Sequence, residues 1–253
     1  MKKNSAEILL ERWRHDESAP MHGWDFSYIR NRMASESPPW DYTDIVREYL
    51  ANAESAIDLE TGGGEFLSSL KPLPTKMYAT EGYAPNYELA KRRLSPLGIH
   101  VIHCMGDAPL SFPEGYFDVI LNRHGTFNAV EIRRLLKPNG VFCTQQVGGK
   151  NLHDLISLFR VKKKSDWGAA KVQKNLTSDG LTIVKSEEWS GKRVFHDVGA
   201  IVYFLKAIPW IVPGFTVDKY KSVLYNLQTR LDQGELLAFT DERFLVIAKK
   251  VSK

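Results

Sequence analysis

Apolar positions along this chain recur with two different periods, and the change from one to the other marks its elements. Near the start, Ile8, Leu9 and Trp13 share one side of a helix beginning about residue 5. A stretch mixing aromatics, charges and proline follows: Trp24, Asp25, Phe26, Tyr28, Pro38, Pro39, Trp40 and Tyr42. It predicts irregular structure packed on the main body. Ile45, Val46, Tyr49, Leu50 and Ala53 then return at helical spacing, over 44–53.

From residue 56 short apolar runs alternate with helices. Strands are expected over 56–59, 77–80, 99–104, 117–122 and 141–145. Helices are expected over 65–70, 85–97 and 128–136, the second opened by Pro85 and followed by Gly98, the third stopped by Lys137-Pro138-Asn139-Gly140. Strands separated by helices make βαβ units, so the chain reads as a doubly wound α/β protein with a mostly parallel sheet. Ligands of such sheets bind outside the carboxyl ends of the strands.

Past residue 150 the alternation breaks. Leu152, Leu155, Ile156 and Phe159 predict a helix over 151–160, with Asn151 as its cap. Helices follow at 169–178, 197–208 and 219–232, and strands at 181–188 and 243–249.

Composition adds little beyond an ordinary globule: 43% of residues are apolar and 25% charged, with a net charge of +4. The basic run Lys162, Lys163 and Lys164 follows a helix pattern, where cations suit the negative end of the dipole. A phosphate-contacting patch is the other reading. Cys104 and Cys143 lie in or beside buried runs and read as small buried thiols. No metal-ligand spacing, signal peptide or membrane span is visible, so a cytoplasmic protein is expected.

The candidate chemistry begins at Asp58-Leu59-Glu60-Thr61-Gly62-Gly63-Gly64-Glu65, a buried strand running through glycines into a helix. There a backbone can approach a ligand closely, and a helix start offers free N–H groups. Glu81, at the end of the next strand and 19 residues past Gly62, could accept hydrogen bonds from both hydroxyls of a ribose. A dinucleotide fingerprint would need a third small residue where Leu67 stands, which argues against NAD or FAD.

The run Gly106-Asp107-Ala108-Pro109-Leu110-Ser111-Phe112-Pro113 leads on to Asp118 and the 117–122 strand, and residues 133–140 read Arg-Arg-Leu-Leu-Lys-Pro-Asn-Gly. With the glycine loop and Glu81, this resembles the class I S-adenosylmethionine-dependent methyltransferases, and among them the small-molecule enzymes related to quinone biosynthesis. The resemblance covers 54–147 well, then weakly 169–189 and the last strand. It implies a seven-stranded Rossmann-like sheet with helical cap insertions. It divides the chain into a cap segment at 1–53, a cofactor-binding core at 54–147, and a remainder at 148–253 with lid insertions near 151–164 and 190–235.

By position the resemblance places Gly62 and Gly64 under the methionine part of S-adenosylmethionine, with Asp58, Glu60 and Thr61 in the same loop. Glu81 would hold the ribose with Gly82 and Tyr83 nearby, and Asp107 the adenine amino group, flanked by Gly106 and Ala108. Asn122, Arg123 and His124 would face the methyl group and the acceptor. The family usually has glycine where this chain has Glu60. A side chain there either reshapes the loop or answers the cofactor's positive charge.

His124 is the first candidate for a general base, and His196, beside Asp197, the second. Asp197 also reads as a helix cap. Trp24, Trp40, Phe159, Phe195, Tyr203, Phe204, Trp210 and Phe215 either wall an apolar pocket or pack the core of a cap. A small-molecule acceptor is expected. The alternatives are an rRNA or tRNA base, and a non-catalytic regulatory protein that binds S-adenosylmethionine. The residues after 121, Asn122-Arg123-His124-Gly125, carry neither the Pro-Pro motif of amino-methylating base enzymes nor a cysteine for cytosine attack. Oligomeric state is left open.

Overall fold

The computed structural model describes residues 5–21, 25–162 and 165–251. Trp24, Lys163 and Lys164 lie outside them. In chain order the elements begin with α1 (Ser5–Ser18), β1 (Met33–Ser35), α2 (Tyr42–Leu50), β2 (Ser55–Leu59) and α3 (Glu65–Ser69). Then come β3 (Lys76–Glu81), α4 (Ala84–Leu94), β4 (His100–His103), β5 (Phe117–Arg123), α5 (Ala129–Leu135) and β6 (Leu136–Val147). The chain closes with α6 (His153–Leu158), α7 (Ala169–Ser178), β7 (Thr182–Phe195), α8 (Val198–Ala207), α9 (Val217–Asp232) and β8 (Leu237–Lys249). Among the described residues no helix is long and apolar enough to cross a membrane.

Two compact units share this chain. The larger comprises Pro38–Gly149, Asp166–Trp189 and Arg243–Lys253, and the smaller Met1–Ser37, Lys150–Ser165 and Ser190–Glu242.

The larger unit is built on seven strands in the order β7-β8-β6-β5-β2-β3-β4. β2 pairs in parallel with β3 and β5, β3 with β4, and β5 with β6, while β8 runs antiparallel to β6. The chain steps outward from β2 through β3 to β4, then resumes at β5 on the other side of β2. That reversal puts a switch point at the carboxyl ends of β2 and β5.

Alternate residues serve opposite faces of the sheet, as the period of two requires. Ala56, Ala79, Val119, Leu121 and Cys143 pack on one face with Val46, Leu67 and Leu94. Ile57, Leu59, Ile120 and Phe142 pack on the other with Ile132, Val172 and Leu176. Local chemistry sets the helix starts. Asp41 caps α2 by accepting from Thr43 and Asp44, and Asn128 caps α5 by accepting from Val130 and Glu131.

Three boundaries differ from the sequence pattern. Asn151 does not cap α6: its side chain accepts the N–H of Glu242 at 2.9 Å, and Leu152 takes the position before the helix. The Lys-Pro-Asn-Gly run belongs to β6, whose first residue Leu136 pairs with Phe117; Asn139, at φ 65°, lets the chain bend there. β7 continues past the polar run at 190–193, because Ser35 and Ala34 of β1 pair with Arg193 and Val194. β1 is thus an eighth strand with no counterpart in the sequence reading.

The smaller unit has its own core. α8 is buried along most of its length, and Phe159, Phe195, Tyr203, Phe204 and Phe215 pack together in that core with Trp13 and Ile29. Of the other aromatics considered for a pocket wall, Trp210 is 60% exposed. Trp40 sits in the larger unit and donates its indole N–H to Gln145 at 2.8 Å. Asp197 caps α8 through Ala200, and both Asp197 and Asp16 pair with Arg32, at 2.6 and 2.8 Å.

Candidate functional site

The glycine loop leaves β2 and turns back before α3. Glu60, Gly62 and Gly64 are all left-handed, at φ 59°, 65° and 79°. Glycine adopts that conformation freely. At Gly64 there is a second reason, since a Cβ would come within 2.8 Å of Leu94 on α4. Thr80 of β3 anchors the turn: its hydroxyl accepts the N–H of Glu60 at 3.1 Å and its carbonyl the N–H of Thr61 at 2.9 Å. The hydroxyl of Thr61 is buried with no hydrogen-bond partner.

Glu81 ends β3 and is only 4% exposed. One carboxylate oxygen accepts the N–H of Gly62 and the other the N–H of Tyr83, both at 2.8 Å. The carboxyl is therefore clamped between the two loops, and each oxygen keeps a free lone pair. Burial raises its pKa in spite of those bonds. Tyr83 contributes its backbone here, while its side chain is 64% exposed. Gly82 lies against Met105: a Cβ there would meet the sulfur at 2.1 Å.

The loop after β4 brings Gly106, Asp107 and Ala108 to the same rim. Gly106 is buried and donates its N–H to Glu60 Oε1; Asp107 is exposed. The 133–140 motif holds this loop in place. Arg134 donates to the carbonyls of Phe112 and Leu110 at 2.7 and 2.9 Å, and Glu131 accepts the Leu110 N–H at 2.9 Å.

β5 delivers Asn122, Arg123 and His124. The Asn122 side chain is fully occupied inside the protein. It donates to the carbonyls of Leu59 and Thr126 at 3.2 Å and accepts from Thr144 and Gln146 at 3.1 and 2.5 Å. It joins the ends of β2, β5 and β6. The Arg123 guanidinium lies 4.7 Å from the ring of Phe66, and its charge opposes the burial that pushes the Asp58 carboxyl up to about 7. His124 is exposed, with φ 63°, and its N–H is held by Gln145 at 2.9 Å. His196 belongs to the smaller unit, where its N–H donates to Arg32 at 2.9 Å.

The larger unit thus gathers every candidate except His196 at the carboxyl ends of β2–β5. Thr80, Met105, Gly125, Gln146 and Tyr42 were not among the site residues expected from the sequence. The Tyr42 hydroxyl lies 3.2 and 3.0 Å from the carbonyls of Asn122 and Cys143, a long-range contact that no local motif announces. The bare backbone at Gly62 and Gly64, the unpartnered Thr61 hydroxyl and the clamped Glu81 fit an adenosyl cofactor.

A methyltransferase-domain family model matches residues 57–144. No curated protein sequence matches the chain. A solved structure from Bacillus halodurans C-125, assigned as a methyltransferase, is similar at TM-score 0.61 and 14% identity, over 83% of this chain and 99% of that one. A functionally unknown protein from Deinococcus radiodurans R1 is similar at TM-score 0.60 and 14% identity, over 98% of this chain and 100% of that one. A geranyl diphosphate methyltransferase in complex with S-adenosylmethionine gives 0.50 and 13%, over 83% and 84%. At these identities the structures speak for the fold, and the family match speaks for the site-bearing segment. Residues 57–144 thus match a methyltransferase domain, and the chain shares the fold of these solved structures.

Proposed function

We propose that this protein moves a methyl group from S-adenosylmethionine to a small-molecule acceptor, in the manner of the quinone-biosynthesis-related enzymes it resembles. The observation that carries the reading is the Glu81 carboxylate, buried and clamped by Gly62 and Tyr83, with lone pairs left for two ribose hydroxyls.

When bound, the cofactor supplies a methyl group activated by its sulfonium: the acceptor's electron pair forms the new bond as the C–S bond breaks and leaves its pair on sulfur. The protein's task is alignment. Gly62 and Gly64 give close backbone approach for the methionine end, and Glu81 holds the ribose, with Gly82 and Tyr83 beside it. Asp107 takes the adenine amino group, with Gly106 and Ala108 alongside. Asp58 and Thr61 line the loop. Asn122 fixes the end of β5, so that Arg123 and His124 stand where an acceptor would approach. His124 is the first choice for a proton acceptor and His196 the second. Residues 54–147 form the cofactor-binding core.

A small acceptor is favoured over an RNA base because Asn122-Arg123-His124-Gly125 carries neither of the base-methylating signatures. Calorimetry with S-adenosylmethionine, followed by radioactive methyl transfer to a cell extract split into small-molecule and RNA fractions, tests this. Label in the small-molecule fraction is the expected result. Label in RNA would replace the acceptor, and binding without any transfer would make the protein a regulatory binder.

A further inference from the structure

Glu60 is the residue of the loop whose type runs against its backbone. Its φ of 59° is one that a side chain adopts at a cost and glycine adopts freely. Its side chain nevertheless has a built place. Oε1 accepts the N–H of Gly106. A Cβ on Gly125 would fall 2.4 Å from the Glu60 Cβ, and one on Gly106 would fall 2.6 Å from its Cγ. The loops after β4 and β5 are bare where this side chain passes.

A strut between loops needs length and an acceptor, which glutamine also has. It needs no charge, and here the charge stands among like charges. Asp107 acts on Glu60, and Glu60 acts in turn on Glu81 and on the Cys104 thiol. Among the described residues none of Glu60, Glu81 and Asp107 is in an ion pair. Excess negative potential of this kind is relieved by a cation at the rim.

Resting on the methyltransferase reading, we infer that the Glu60 carboxylate is the group by which this site prefers the sulfonium cofactor to its thioether product. S-adenosylmethionine and S-adenosylhomocysteine share adenine, ribose, ammonium and carboxylate, and differ by the methyl group and the charge on sulfur. Glu60 spans from the glycine loop proposed to hold the methionine end to Gly106, next to the residue proposed to hold adenine. The sulfur lies between those two ends of the cofactor. A carboxylate there favours the methyl donor and speeds exchange of the spent product.

The experiment measures Kd for both compounds with the wild-type chain and with Glu60→Gln, which keeps the acceptor for Gly106 and removes the charge. The preference for S-adenosylmethionine over S-adenosylhomocysteine should fall about tenfold in the variant, with product affinity held within about twofold. An unchanged ratio in a folded variant overturns the inference and leaves Glu60 a strut. If Glu60→Gln does not fold, Glu60→Gly is the second variant, since glycine suits this φ, and the same ratio decides. If the wild-type chain binds neither compound, the methyltransferase reading itself has failed.

Discussion

A methyl group on Gly125 would stand 2.4 Å from the Cβ of Glu60, two residues 65 positions apart in the chain. The two nearest atoms belong to the Glu60 side chain, with Asn122 Nδ2 next at 3.0 Å, so the clash depends mainly on Glu60. Gly125→Ala should cost about 1–3 kcal/mol in the wild-type background, as overpacking does. Most of that cost should vanish in a Glu60→Gly background. Gly106→Ala should show no such rescue, because its Cβ would also meet the backbone carbonyl of Thr126 at 2.5 Å. Urea denaturation of the single and double variants gives the coupling, and equal costs in both backgrounds would show that Glu60 is not the source of the clash.

The two ends of the proposed cofactor site can be tested separately. Glu81→Ala and Asp107→Ala should each weaken S-adenosylmethionine binding by about tenfold or more, the loss of a charge-assisted hydrogen bond. Glu81→Ala should also destabilise the protein, since the N–H groups of Gly62 and Tyr83 lose their acceptor; Asp107→Ala, exposed, should not. Unchanged affinity in both variants, by calorimetry, would remove the site assignment.

Burial sets a pH dependence at Asp58. Its carboxyl moves from an ordinary value of 3.8 up to about 7, chiefly because the charged form is desolvated, with Arg123 opposing. The folded chain therefore keeps this proton to higher pH than the unfolded chain does. The associated stability is fully present below about pH 4 and is lost as pH rises through about 7. Asp58→Asn cannot ionise. Its stability relative to wild type should improve by up to about 4 kcal/mol between pH 4 and 8, read from denaturation midpoints across that range. Parallel curves would mean that Asp58 ionises at its ordinary pH.

In the smaller unit, Arg32 is shared by Asp16 and Asp197, and Asp16 is only 6% exposed. The absence of a side chain at Gly199 makes room for this pairing, as a Cβ there would lie 1.9 Å from an Asp16 oxygen. Arg32→Leu leaves a buried carboxylate without its partner and should cost about 3–5 kcal/mol in chemical denaturation. Arg32→Leu with Asp16→Leu should recover much of the loss. No recovery would show that the charge itself was not the cost.

How much of this was legible beforehand can be followed residue by residue. The alternation of 56–59, 77–80 and 117–122 with helical segments foretold the parallel sheet, because a period of two or 3.6 is a local property of the chain. Gly62, Gly64 and Glu81 announced themselves for a similar reason: glycine is where backbone must come close or turn left-handed, and an acid at a strand end has few structural uses. Only the folded protein could show that Glu60 rests on Gly106 and Gly125, that Asn122 closes a network with Thr144 and Gln146, or that β7 runs on to meet β1. Those facts depend on strand register and on which loops the sheet order brings side by side. Register is a sum over contacts between residues far apart in sequence, and no single stretch of the chain contains it.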